Sequence, residues 1–395
     1  MSPSETMDAT ATASKENAKD DAKEYGMTQL FSEIRARRDE FGRLRHVPKE
    51  FIAKLKKLGV YRAATPACFG GSGLAPAAFL QLVEKISEAD GSVGWVASFG
   101  SASVYLAALP KATQAKLYAD SPDLVFAGGL FPIQPATQVE GGWTVNGTWK
   151  FASGCKGADM LGVGIGAAVP GQAGSKPRTA VLPPSQVEIV DNWDVMGLAG
   201  TGSHDLRVTQ QFVADEWTFI RGGVPTIDEP LYRYPTIAYA AQVLGVVNLG
   251  IARAAIDEIA NMAGGRVAIT GAPKLADRSY VRIEVAKAEA QLRSARAFLY
   301  DTTDDVWQSI LAGNPVTPDQ VSLLRLTAVE VARVGNQIAQ NMFGLAGTTA
   351  IYLNHPLQRY LRDAAVVKQH AFLGEGIYDG AGAVALGVPP MPGFI

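Results

Sequence analysis

The sequence predicts an α+β protein in three parts: a helical N-terminal region, a small central β-barrel and a C-terminal four-helix bundle. Two changes of texture along the 395 residues carry that expectation. Apolar residues recur at helical spacing over residues 24–120, alternate at period two in 121–228, and return to long helical stripes in 229–395. Residues 1–23, rich in Ala, Ser, Thr, Lys and Asp, are expected to form a disordered tail.

In the first part, Pro48 opens a helix with Phe51, Ile52, Leu55 and Leu58 on one face, and Gly59 closes it. Phe79, Leu82, Val83 and Ile86 form a second stripe. Asp90-Gly91-Ser92 breaks that helix and offers an N-cap to a third, running through Trp95, Phe99 and Tyr105. In the second part, Val139 to Phe151 alternates apolar and polar residues around Gly141-Gly142 and Asn146-Gly147, the signature of a hairpin. Met160–Val169, Thr179–Leu182, Val187–Val190 and Leu206–Val213 are further strands, enough for a barrel or sandwich. In the third part the helices are expected at Tyr239–Ala263, Leu275–Leu311, Pro318–Phe343 and from about Pro356, with Thr317 capping the third of them.

Composition narrows the function. The formal net charge of −2 gives no electrostatic case for nucleic acid or an anionic membrane surface. No run reaches the roughly 18 apolar residues of a membrane span, and the N-terminus has no apolar core of a signal peptide. The two cysteines, Cys68 and Cys155, form no metal or disulfide pattern, so no metal is expected and a reducing, cytoplasmic setting is. Gly162-Val163-Gly164-Ile165-Gly166 is too short for a dinucleotide fingerprint and lies inside a strand run, so a nicotinamide site is not evident.

The stretch from Gly347 to Asp363, ending Arg359-Tyr360-Leu361-Arg362-Asp363 and followed by His370, resembles the last motif block of the acyl-CoA dehydrogenases. In those enzymes a catalytic Glu lies about eight residues beyond the Arg-Asp pair. Here that position is Ala371, and its neighbour is His370. The exchange resembles the two-component flavin monooxygenases built on the same fold, such as the indole or indole-acetate oxygenases, dibenzothiophene monooxygenase and the 4-hydroxyphenylacetate hydroxylase oxygenases. The resemblance implies the following expectations. Reduced flavin, FADH2 or FMNH2, arrives from a separate NAD(P)H:flavin reductase. O2 adds to it to give a C4a-hydroperoxyflavin, which hydroxylates or epoxidises a small aromatic ring.

Ser153, in Lys150-Phe151-Ala152-Ser153-Gly154, resembles the serine that lies beside flavin N5 in those oxygenases; an ordinary turn serine before Gly is the other reading. Trp149 belongs to the same segment. Gly128, Gly129, Leu130 and Phe131 occupy a stretch where the family passes backbone along the ring, and small residues suit close approach. Thr201 and Ser203, in the Trp193–Asp205 block, are expected along the flavin. Arg278 and Ser279 begin a bundle helix, and a helix start with a cation and a hydroxyl suits a flavin phosphate, or is a solvated end. Gly344, Gly347 and Thr348 resemble a loop approaching flavin held by a neighbouring subunit, which implies a homotetramer. His204 and His355 are read as structural.

His370, a group that titrates near neutral pH, could act as a base on a phenol O–H or indole N–H, or hydrogen-bond the oxygenating flavin; a packed bundle histidine is the bland alternative. Trp95, Phe99, Phe131 and Phe372 are the expected substrate contacts. No Arg or Lys is clearly placed for a phosphate or CoA, Lys156 and Lys368 being the nearest, so a flat, neutral, indole-like or phenolic ring is expected. Two rival readings stand beside this one. An acyl-CoA dehydrogenase is favoured by Ile377-Tyr378-Asp379-Gly380, which mimics that family's catalytic turn about eight residues late. A scaffold that kept the fold and lost the flavin is the other.

Overall fold

The protein, seen in a computed structural model, is described over residues 26–167, 177–265, 271 and 273–394. The expected tail, residues 1–23, lies outside them. The described residues open with a helix over residues 26–44 (α1). Then come α2 (Lys49–Lys57), α3 (Pro76–Ala89), α4 (Gly91–Ala97), α5 (Ser103–Leu106) and α6 (Lys111–Leu117). Pro48 stands at the N-cap of α2, and Phe51, Ile52 and Leu55 are its buried face. Asp90 caps α4 by accepting the Val93 N–H at 3.0 Å.

Seven strands follow: β1 (Phe126–Val139), β2 (Gly142–Ala152), β3 (Met160–Ala167), β4 (Arg178–Leu182), β5 (Glu188–Val190), β6 (His204–Ala214) and β7 (Thr218–Ile220). Their order is β5-β6-β2-β1-β3-β4-β7, with β1 and β3 parallel and the other pairs antiparallel. The hairpin turns at Gly141. Asn146-Gly147, expected as a second turn signal, is instead an irregularity inside β2, where the register with β6 shifts between Val145 and Gly147. The short β7 has no signal in the sequence. The glycines of β3 have a packing reason: a Cβ on Gly164 would lie 2.1 Å from the Leu130 carbonyl oxygen.

The C-terminal helices are α7 (Thr236–Gly245), α8 (Val247–Ala263), α9 (Ser279–Leu311), α10 (Pro318–Ala346), α11 (Pro356–Val367) and α12 (Gly376–Ala385). Thr317 and Gln320 form a full capping box at the start of α10. The expected last helix is in fact two. Gly374 and the short turn Ala371–Leu373 separate α11 from α12, and His370 caps that turn. A continuous buried cluster joins Phe41 and Phe51 of the first part to Trp149 and Leu161 of the strands and to Leu249 and Leu324 of the bundle. Each such side chain contributes about 1.5–3 kcal/mol by leaving water, and the shared core fixes the three parts against one another. Among the described residues no helix is long and apolar enough to cross a membrane.

Candidate active site

Ser153 follows the last residue of β2, in a turn that needs unusual backbone. Phe151 has φ 61° and Gly154 φ 74°, and a Cβ on Gly154 would also press on Phe99 at 3.3 Å. Gly154 N–H donates to the Thr201 carbonyl at 2.7 Å, so the turn is tied to the start of β6. Three hydroxyls then line up. Ser153 Oγ lies 2.7 Å from Ser203 Oγ, Ser203 Oγ lies 2.8 Å from Thr201 Oγ1, and Thr201 Oγ1 donates to the Leu198 carbonyl at 2.8 Å. Each hydroxyl has one proton. Thr201 gives its proton to Leu198, so it accepts from Ser203, and Ser203 in turn accepts from Ser153. The proton of Ser153 is thereby committed inward, and its oxygen keeps lone pairs for an outside donor.

Leu198, at the far end of this chain, is held from the bundle. Its N–H donates to Asp363 Oδ1 at 2.6 Å, and Arg362 Nη1 donates to the Met196 carbonyl at 2.7 Å. Only glycine fits at 197, because a Cβ there would sit 2.3 Å from the Arg362 carbonyl oxygen. The Arg-Asp pair singled out in the sequence is therefore the clamp between α11 and the loop that carries the hydroxyls. Burial, and then the neighbouring Asp90 carboxylate, push the Asp363 carboxyl up to about 7.

A second group of side chains, around His370, is aromatic and cationic. His370 Nδ1 accepts the Phe372 N–H at 3.2 Å, which assigns the proton of the neutral ring to Nε2. The imidazole meets Trp95 edge-on at 5.7 Å and Phe372 at 5.0 Å between ring centres. Beyond Phe372 stands Arg221, one residue past β7, with its guanidinium 5.2 Å from the Phe372 ring and 4.4 Å from the Tyr105 ring. Burial first, and then the charge of Arg221, lower the His370 pKa to about 4. This corrects the expectation of a group titrating near neutral pH. The lowered pKa holds His370 in its neutral form, with Nδ1 occupied by the Phe372 N–H and Nε2–H as the free donor. The two walls meet through α4 and the turn after it, which supply Trp95 to His370 and Phe99 to Gly154.

The other expected residues fall as follows. Trp149 is 0% exposed and donates to the Gly164 carbonyl at 2.7 Å, so it faces the strand core and not a cleft. Gly128 and Gly129 make room for the backbones of Gly162 and Lys150 respectively. The β1–β3 ladder is interrupted between Gly129 and Gln134, the stretch that holds Leu130 and the 64%-exposed Phe131. Arg278 hydrogen-bonds locally, to the Pro273 carbonyl and Tyr280, at the start of α9, and Ser279 is exposed. Gly344 lies in the last turn of α10, on its exposed side; Gly347, with φ 62°, and Thr348 lead into the exposed apolar run Ile351-Tyr352-Leu353. His204 is fully buried with Nδ1 accepting the Asn192 and Trp193 N–H groups, and His355 caps α11; both are structural, as expected. Lys156 is paired with Asp191 at 3.1 Å. Sequence reasoning passed over Arg221 entirely. Its one signal was a lone cation before Gly222-Gly223.

The wall fits a reduced flavin in its chemistry. Such a flavin carries an N5–H that needs an acceptor, which Ser153 offers, and the exposed Phe131 and Phe151 are apolar rings free for a planar partner. It does not fit a dehydrogenase. Position 371 is an exposed alanine. Glu375 and Asp379 are exposed on or beside α12, and Tyr378 donates to Glu330 at 2.7 Å within the bundle.

Comparison with known proteins agrees. Residues 15–119 match the acyl-CoA dehydrogenase N-terminal domain and residues 242–375 its C-terminal domain. The chain is 54% identical over 361 residues to an indole-3-acetate monooxygenase of Pseudomonas putida, covering 91% of this chain and 92% of that one. It is 31% identical over 368 residues to the oxygenase component of an FADH2-dependent resorcinol hydroxylase of Rhizobium sp. (strain MTP-10005), covering 87% and 88%. The crystal structure of the 3-HSA hydroxylase from Rhodococcus sp. RHA1 superposes with a TM-score of 0.87 at 26% identity, over 94% of this chain and 98% of that one. This chain belongs to the flavin-dependent monooxygenases of acyl-CoA dehydrogenase fold, oxygenase components that work with reduced flavin and O2.

Proposed function

We propose that this oxygenase acts on an indole-type ring, with indole-3-acetate the leading candidate, and that Ser153 and His370 are its two working polar groups. The observation that carries the reading is that an acceptor, Ser153 Oγ, and a neutral donor, His370 Nε2–H, are linked through α4 and the turn after it, where Trp95 packs on His370 and Phe99 lies against Gly154. Bound reduced flavin would supply the electrons that activate O2. Ser153 Oγ would accept the flavin N5–H and keep that proton in place. His370 Nε2–H would donate to oxygen on its way to the substrate. Trp95 and Phe372 would hold the ring and exclude water. The 54%-identical relative is named for indole-3-acetate, which supports the ring and its acetate arm.

Thr201 and Ser203 act through Ser153. Arg278 and Ser279, with the loop Gly344, Gly347 and Thr348, would serve a flavin shared with a neighbouring copy in a homotetramer. The exposed Ile351, Tyr352 and Leu353 beside that loop are the apolar surface such a contact would cover. A separate NAD(P)H:flavin reductase would supply the reduced flavin in the cytoplasm. The test is to mix the protein and chemically reduced flavin, FAD and FMN in turn, with ¹⁸O2 and indole-3-acetate, and to follow product mass. One labelled oxygen in the ring supports the reading. Release of all the oxygen as H2O2 with every indole and phenol tried would overturn it.

A further inference from the structure

We propose that Arg221 is a carboxylate clamp, so that the pocket selects an aromatic ring bearing a short acidic arm. The proposal deepens the aromatic-oxygenase reading above and rests on it.

Arg221 differs from most of the partly buried arginines. Arg38 also lacks an ion pair among the described residues and bonds the Tyr360 hydroxyl at 3.1 Å, but its Nε is not among the buried groups without an acceptor. Arg253 pairs with Asp257 and Glu289, Arg296 with Glu84, and Arg359 with Asp39. Arg221 has no carboxylate within ion-pair distance among the described residues. Its guanidinium makes one hydrogen bond, Nη2 to Tyr105 Oη at 2.7 Å, and its Nε is buried without an acceptor. Arg325 also has an unpartnered Nε, but two backbone carbonyls, of Gly393 and Phe394, accept from its Nη1, and it lies in a separate cluster around Phe394.

A guanidinium held between two rings with a buried Nε–H lacking an acceptor carries an unmet cost, and a planar carboxylate matches the fork of its remaining donors. The place is right for a substrate. From Arg221 the line of contact runs over Phe372 to His370 and on to Trp95, at spacings of 5.2, 5.0 and 5.7 Å. An aromatic ring lodged by Trp95 and His370 would thus have a positive charge on the far side of Phe372. The effect of that charge is already visible on His370, whose protonation it opposes. The expectation of a neutral substrate, drawn from the sequence, is replaced by that of an anionic one.

The test compares Arg221→Gln and Arg221→Lys with the parent, using indole-3-acetate and unsubstituted indole as probes. Three quantities are read: binding of each probe to the flavin-free protein by calorimetry, KM for each, and Kd for reduced and oxidised flavin. The expected result for Arg221→Gln is about 10²-fold weaker binding and a matching rise in KM for indole-3-acetate, the size of a lost charge-assisted pair. Indole and flavin constants should stay within about twofold, and Arg221→Lys should recover part of the loss. Equal weakening of both probes would reduce Arg221 to packing, and a rise confined to flavin Kd would give it to the cofactor phosphate; either overturns the clamp. If the parent oxygenates neither probe, the functional reading fails, while the calorimetric arm still decides the clamp.

Discussion

On the barrel wall of the site each hydroxyl proton has an acceptor, from Ser153 through Ser203 and Thr201 to the Leu198 carbonyl. On the wall around His370 the Arg221 guanidinium has one hydrogen-bond partner and a buried Nε with none, and the imidazole beyond Phe372 is kept uncharged. The first wall is saturated and electrically neutral, and it presents a lone pair whose direction is already decided. The second carries a positive charge that the described residues do not match. The difference separates two tasks. A site that must hold one cofactor in one protonation state gains from a finished network, whereas a site that must recognise a passing substrate keeps a donor unsatisfied until that substrate arrives.

The comparison breaks most sharply at His370. His370→Ala should lower product formation by about 10²-fold, the usual cost of a lost positioned donor, while reduced-flavin consumption continues. Product and H2O2 measured together decide this, and unchanged product would return His370 to a packing role. Ser203→Ala tests the direction of the barrel wall. Without its acceptor, Ser153 can turn its proton outward and donate to oxidised flavin, whose N5 is an acceptor. The ratio of oxidised to reduced flavin Kd should therefore fall by about tenfold, one hydrogen bond's worth, whereas a merely structural effect would weaken both forms alike. Ser153→Ala should leave the fold within about 1 kcal/mol of the parent and raise the H2O2 released per substrate oxygenated by several-fold; identical coupling would remove Ser153 from the site.

The smallest effect is on stability. Unfolded, the imidazole takes up its proton near its ordinary value, and folded it resists until about 4. The unfolded state therefore binds more protons in between, and the parent loses stability as pH falls from about 6.5 towards 4. His370→Gln should lose less over that window in thermal melts. Parallel Tm curves would show that His370 is not held neutral.

Much of the fold was legible because its signals are local. The alternation of residues 139–151, the Thr317–Gln320 box and the Pro48 helix start each specify their element within a few residues. The break between α11 and α12 was not legible, because it depends on His370 capping its own turn in a stretch with no proline. The site divides the same way. Ser153, Thr201, Ser203 and His370 stand in motifs and could be named. The order of their protons could not, since it rests on Leu198 being held by Asp363, 165 residues away in sequence. Arg221 owes its meaning to Tyr105, 116 residues earlier, and to Phe372, and alone it reads as any surface cation. Trp149 was misplaced for the opposite reason, since an aromatic beside a motif can point either way from a strand, and burial chose the core.

Asp363, which fixes the far end of the hydroxyl chain, lies within α11, and His370 is hydrogen-bonded to the last residue of that same helix through its N–H to the Val367 carbonyl at 3.2 Å. The anchor of the hydroxyl chain and the donor are thus carried by one helix and the turn that follows it. A shift of α11 would therefore move the hold on Leu198 and the position of His370 together. Substitutions at Trp95, Tyr105 or Arg221 leave that helix untouched, and with it the link between the hold on Leu198 and the seat of His370.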